Sequence, residues 1–173
     1  ERNSLVGSEM CIRDRACYET ALSYFDQGKT NEAYAKAKEA DDLEPGSINT
    51  VSLIGSLMDD MGQTNEAVSY LETALKKWPY NQNLHYNLAV CYIRLEAYEK
   101  AEDVLMKSIR INLYHKSSHM ALAKANFAMG RTAQSYLGFN MALLLFPRVN
   151  YIVEFENYIA GKKDTLSHPY KYA

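Results

Sequence analysis

His115 and His119 are four residues apart, the spacing at which one helix face could offer two imidazoles to a metal ion. His115 falls in a turn between helical segments, however, and no carboxylate or cysteine lies near the pair to complete a ligand set. No metal site is predicted. Asp41-Asp42 and Asp59-Asp60 are adjacent carboxylates. Neighbouring side chains on a helix diverge, so neither pair can share a proton, and both are read as solvated helix ends. The serines lack a nucleophile-elbow context and a matching histidine–acid arrangement. No Gly-rich phosphate loop or Gly-Lys-Ser/Thr run is present. Cys11, Cys17 and Cys91 are odd in number and fit no ligand spacing. Cys17 and Cys91 fall on helical faces expected to pack and are read as buried thiols outside any disulfide. That weakly favours a reducing, cytoplasmic setting, although a buried thiol also survives in the periplasm. These residues predict no enzyme, no cofactor and no small-molecule substrate.

The elements that carry them belong to a chain of 173 residues, 47% hydrophobic, with a formal charge of −2. Such a balance suits one soluble folded unit and gives no electrostatic case for nucleic acid or an anionic membrane. No apolar run reaches the roughly 18–20 residues that would span a bilayer. The longest, Met141 to Phe146, stops at Pro147 and reads as the end of a buried helix. The first residues are of a different kind. Ser4 to Arg15 resemble the translation of a transposon-based sequencing adapter, which points to environmental DNA and a microbial source. Residues 1–15 are therefore set apart as adapter-derived, as a cloning scar would be, and the true start is expected to be missing.

From about residue 14 the chain repeats itself. Pro45, Pro79 and Pro147 lie 34 and then 68 residues apart, with Leu113 at the intervening step. Gly28, Gly62 and Gly130 keep that period with Glu96 as the exception. Ala33, Ala67 and Ala101 lead to Ser135; Ala40 and Ala74 run through Ser108 to Ala142. A fixed period with small residues in register marks stacked helix–turn–helix units. Four units follow, 14–47, 48–81, 82–115 and 116–149, with a closing helix at 150–160 and a tail at 161–173. In the second, Val51, Ile54, Leu57 and Met58 make a helical stripe around Gly55. Gly62 supplies a turn that needs positive φ, and Ala67, Leu71, Ala74 and Leu75 form the second stripe before Pro79. Helices are predicted at 16–26, 30–42, 48–60, 64–77, 82–94, 98–111, 116–128, 132–145 and 150–160. The last of these carries Ile152, Phe155 and Ile159 on one stripe and Tyr151 and Tyr158 on another, so a truncated fifth unit or packing by the tail is expected.

The pattern resembles the tetratricopeptide repeat family over residues 16–149. Ala21, Gly55, Ala89 and Ala123 match its small mid-first-helix position. Tyr24 and Tyr92 match its aromatic column, lost at Met58 and Asn126, while Cys17, Val51, His85 and His119 depart from its first-helix tryptophan or tyrosine. The resemblance implies an all-α, right-handed superhelical solenoid of four hairpins plus a C-terminal helix, whose first helices line a concave peptide-binding groove. Counting along them gives Tyr18, Leu22 and Phe25, then Asn49, Ser52, Ser56 and Asp59, as inner positions in the first two units. The last two units offer Asn83, Tyr86, Asn87, Val90 and Arg94, then Ser117, Met120, Lys124 and Phe127. The expected groove is Tyr86, Asn87, Val90, Arg94, Met120, Lys124 and Phe127, with aromatic rings as anchors and Asn87 pairing with peptide backbone. A carboxylate clamp of the chaperone-tail type is not expected, because Ser52, Ser56, Ser117 and Ala121 stand where clamp residues are required. The expected function is non-catalytic binding of a protein or peptide partner. The alternative is a regulatory or docking segment of a larger, truncated enzyme or of an envelope or secretion assembly protein.

Overall fold

The computed structural model describes residues 2–145; the expected closing helix and tail lie outside the described residues. Among the described residues there are eight α-helices and no strand. They are α1 (Arg2–Asp26), α2 (Thr30–Leu43), α3 (Ile48–Asp60), α4 (Thr64–Lys77), α5 (Gln82–Arg94), α6 (Tyr98–Ile111), α7 (Lys116–Ala128) and α8 (Thr132–Leu145). Six of them coincide with the predicted spans, and α2 runs one residue further. The exception is α1, expected from residue 16 but beginning at Arg2. The repeat register set the expected start. Local sequence contains no proline to stop the helix earlier, and Gly7 alone does not break it.

One device closes every hairpin. The amide of Gly28 bonds the Phe25 carbonyl and that of Lys29 bonds Tyr24, both at 2.9 Å. The same crossed pair recurs at Gly62 with Gln63, at Glu96 with Ala97, and at Gly130 with Arg131, between 2.8 and 3.0 Å. This is the Schellman C-cap, which satisfies orphan helix carbonyls and requires a left-handed residue. Gly28, Gly62 and Gly130 adopt φ of 74°, 80° and 73°, and Glu96 is forced to 57° in the same role. The hairpin geometry therefore persists where its preferred residue is absent.

The helices group into two compact units, one ending at Ala74 and the other beginning at Leu75, within α4. In the first, Ala21, Phe25, Ala33, Ala37, Leu53, Ile54 and Leu57 form the core, with Tyr24, Tyr34 and Tyr70 packed at its margin. Burial, then Asp41 and Tyr34, push the Tyr70 phenol up to about 12. Gly55 marks the closest approach, since a Cβ there would stand 2.5 Å from Leu71 Cδ2. In the second unit α5 packs on α6 and α7, α6 on α7, and α7 on α8. Small residues again allow the approach. Gly55, Ala67, Ala74, Ala89, Ala101 and Ala123 are all buried, as the repeat columns require. Met120, Ala123, Phe139 and Ala142 form the α7–α8 core.

Candidate peptide-binding surface

The second helices show one buried stripe and one open face, as in α6, where Ala101, Val104, Leu105, Ser108 and Ile109 are buried. First helices are enclosed more fully: every residue of α5 from Leu84 to Ile93 is buried. Of the twelve buried polar or charged side chains among the described residues, ten lie on α3, α5 and α7. First helices therefore hold the polar inventory from which a recognition surface could be built.

Within the second unit, α5 and α7 are in direct contact, which brings together the two helices carrying all seven expected groove residues. Their exposure differs from the expectation. Tyr86, Asn87, Val90, Met120 and Lys124 are buried, Lys124 completely. Arg94 is exposed and Phe127 half-buried, at the C-terminal ends of α5 and α7. Phe25, Ser52, Ser56 and Asp59, also expected on an open inner face, are buried too. Periodicity gives the phase of a side chain around its helix but not the distance to the next helix. With α6 and α7 both against α5, the phase marked as inner is largely covered.

Tyr86 meets His115 edge to face, ring centroids 5.5 Å apart and planes at 84°. His115 opens a hydrogen-bonded chain: its Nδ1 lies 2.7 Å from Ser118 Oγ, and Ser118 Oγ lies 2.8 Å from Ser108 Oγ. Ser108 donates at 3.2 Å to the Gln82 carbonyl. Two hydroxyl protons cannot serve three bonds, so the third proton must sit on His115 Nδ1. The chain then runs in one direction, His115 to Ser118 to Ser108 to Gln82, and ties α5, α6 and α7 together. Burial, then His119 and Lys116, hold the His115 imidazole down at about 4, in its neutral form.

His119 and His85 occupy one repeat column and do the same work. Each places Nε2 2.9 Å from the carbonyl six residues earlier, Leu113 for His119 and Pro79 for His85, in the preceding inter-repeat turn. These imidazoles are latches on turns. Burial lowers the His85 pKa, against the opposing pull of the Pro79 carbonyl. His115 and His119 are thus engaged with separate partners, and among the described residues no group of three or more His, Cys, Asp or Glu could hold a metal ion.

Two expectations about reactive residues need correction. Asp59 is buried, not a solvated helix end, and its Oδ1 accepts from Thr64 Oγ1 at 2.9 Å across the α3–α4 turn. A signal for this was present: its column otherwise holds Phe25, Ile93 and Phe127. Cys91 is buried as expected, but Cys17 is only half-buried. Burial and then the neighbouring Glu39 carboxylate raise the Cys17 pKa, which keeps it a thiol. Among the described residues, no helix is long and apolar enough to cross a membrane.

Four hairpins closed by one repeated cap, with interfaces built on small residues, define an all-α helical-repeat protein. Residues 59–112 match the family model for the tetratricopeptide repeat. That stretch is a tetratricopeptide-repeat segment, and the described helices share the tetratricopeptide-repeat fold. Its fold is similar to that of TTC0263, a thermophilic TPR protein in Thermus thermophilus, with a TM-score of 0.78 at 15% identity over 86% of this chain and 80% of that one. It is also similar to YrrB, a TPR protein with an unusual peptide-binding site, with a TM-score of 0.65 at 12% identity over 83% of this chain and 74% of that one. Among curated proteins, the human N-alpha-acetyltransferase 25, NatB auxiliary subunit, is 31% identical over 98 residues, 55% of this chain. Response regulator aspartate phosphatase I of Bacillus subtilis (strain 168) is 23% identical over 143 residues, 79% of this chain. The matches span 10% and 36% of those two relatives.

Proposed function

We propose that the protein is a non-catalytic scaffold that binds a peptide, or an extended segment of a partner protein, along α5 and α7. The observation that carries this reading is an exposed Arg94 and a half-buried Phe127 at the C-terminal ends of two first helices in direct contact. A guanidinium and an aromatic ring at the same ends of two contacting helices suit a segment that carries an acidic group or C-terminal carboxylate and an apolar side chain. Tyr86, Asn87, Val90, Met120 and Lys124, buried along the same helices, act as the rigid support of that surface. A peptide-array screen or a pull-down identifies the ligand, and Arg94→Ala/Phe127→Ala tests the site. Truncating a true anchor costs at least about 2 kcal/mol, a loss of roughly thirtyfold in affinity. A partner held at full affinity by the double variant would remove α5 and α7 from the binding surface. Tyr86→Ala is the wrong probe, because a buried ring against His115 reports on stability before it reports on binding.

A second reading keeps the binding role within a larger protein, as its docking or regulatory segment. The relatives favour it, since the matched stretch is 10% of an auxiliary subunit and 36% of a phosphatase. Sequencing the surrounding locus tests it, and a lack of further in-frame coding sequence would count against it.

A further inference from the structure

Superposing the repeat columns sets α8 apart from its counterparts. Its outward positions are Leu137, Met141 and Leu144. The same columns hold Asp103, Lys107 and Arg110 in α6, Ser69, Thr73 and Lys76 in α4, and Ala35, Glu39 and Asp42 in α2. All twelve positions are exposed. The apolar residues of α8 therefore stand in columns that face solvent elsewhere in this chain, so stacking of one hairpin on the next does not account for them. Leu137 is 65% exposed, Met141 38% and Leu144 78%. The opposite face of α8 already buries Ser135, Phe139 and Ala142. A helix apolar on both faces is normally covered on both.

We infer that the outer face of α8 is a self-association surface that pairs with α8 of a second copy of the chain. Two features favour a copy over another occupant. An isologous pair brings the residues at its two-fold axis against their own equivalents, so a charge at the centre would meet its like. From Thr132 to Leu145 the helix carries no Asp, Glu, Lys or Arg. The spacing also fits, because steps of four and then three residues form the d–a–d seam of a left-handed helix pair. The three side chains expose roughly 350 Å² per copy, and with their rims a pair buries on the order of 1,000 Å², the lower bound for a specific interface. A dimer at that lower bound is weak, with a Kd in the micromolar range or above.

Sedimentation equilibrium of the full chain from about 1 to about 500 µM spans the micromolar range. Average mass should rise with concentration from the monomer toward twice its value. Leu137→Asp/Met141→Lys/Leu144→Arg places the α6 residues in the α8 columns and should retain the helical spectrum while weakening association at least ~30-fold. Leu137→Glu/Leu144→Glu and Leu137→Lys/Leu144→Lys should each be monomeric alone and associate when mixed. A wild type that stays monomeric throughout, a folded triple variant that dimerises like wild type, or charged variants that do not recover on mixing would each overturn the α8–α8 pairing.

Discussion

Gly55 and Gly62 lie seven residues apart and are glycine for different reasons, which alanine substitution can separate. At Gly55 a Cβ would stand 2.5 Å from Leu71 Cδ2 and 2.8 Å from its Cγ. Carbon atoms pack at about 3.5–4.0 Å, so Leu71 would have to retreat by roughly 1 Å. Leu71 is fully buried, and its retreat displaces close-packed neighbours. Overpacking of this kind costs about 1–3 kcal/mol, against which alanine's helix propensity returns about 1 kcal/mol. Gly55→Ala should therefore lose up to about 2 kcal/mol, and at ~2–4 °C per kcal/mol for a chain of this size the melting midpoint should fall by up to several degrees. In a Leu71→Ala background the collision is gone. The same substitution should then gain about 1 kcal/mol, because only the propensity term remains. Gly62→Ala behaves differently: nothing lies within 4 Å of its Cβ, and φ of +80° is its constraint. Its loss of about 1–2 kcal/mol should be unchanged by Leu71→Ala. Thermal and urea unfolding followed by circular dichroism reads all five variants. A Gly55→Ala penalty that survives loss of the Leu71 side chain would refute the steric account.

Two further outcomes follow from the caps and latches. Glu96 holds φ of 57° where its repeat equivalents are glycine, so Glu96→Gly should relieve about 1–2 kcal/mol of left-handed strain and lose part of it to a more flexible unfolded chain. The net gain of about 0.5–1 kcal/mol appears as a higher urea midpoint, and a lower midpoint would mean that Glu96 makes a contact outweighing its strain. His115 is held neutral, with its pKa lowered from 6.5 to about 4, so on acidification the unfolded chain takes up a proton before the folded one. Its contribution to stability is complete above the unfolded value and falls away as pH drops from about 6.5 toward 4, by about 1–2 kcal/mol once solvent screening of the half-buried ring is allowed for. His115→Asn can still donate to Ser118 but does not titrate, so the difference between urea midpoints at pH 7.5 and pH 5 should shrink relative to wild type; an unchanged difference would place the acid sensitivity elsewhere.

The 34-residue register located seven of the eight helices almost to the residue, because caps, turns and small contact residues repeat in phase with it. It did not reveal how open the inner positions are. Tyr86, Asn87, Val90, Met120 and Lys124 lie on helices bordered by more than one neighbour, and a single-helix pattern has no term for the second neighbour. Asp59 was misread for a related reason. Residue type suggested solvent, whereas its column, shared with Phe25, Ile93 and Phe127, pointed inward. In α8 the conflict runs the other way: Leu137, Met141 and Leu144 have buried types in columns that are exposed in every other hairpin. Within a repeat protein the column is set by backbone geometry common to all units, so it outranks residue type as a guide to environment. A residue that disagrees with its column then needs a local compensation. Asp59 finds one in the Thr64 hydroxyl, within the chain. The three apolar residues of α8 stay exposed among the described residues, and in the α8–α8 pairing their compensation comes from the same face of a second copy.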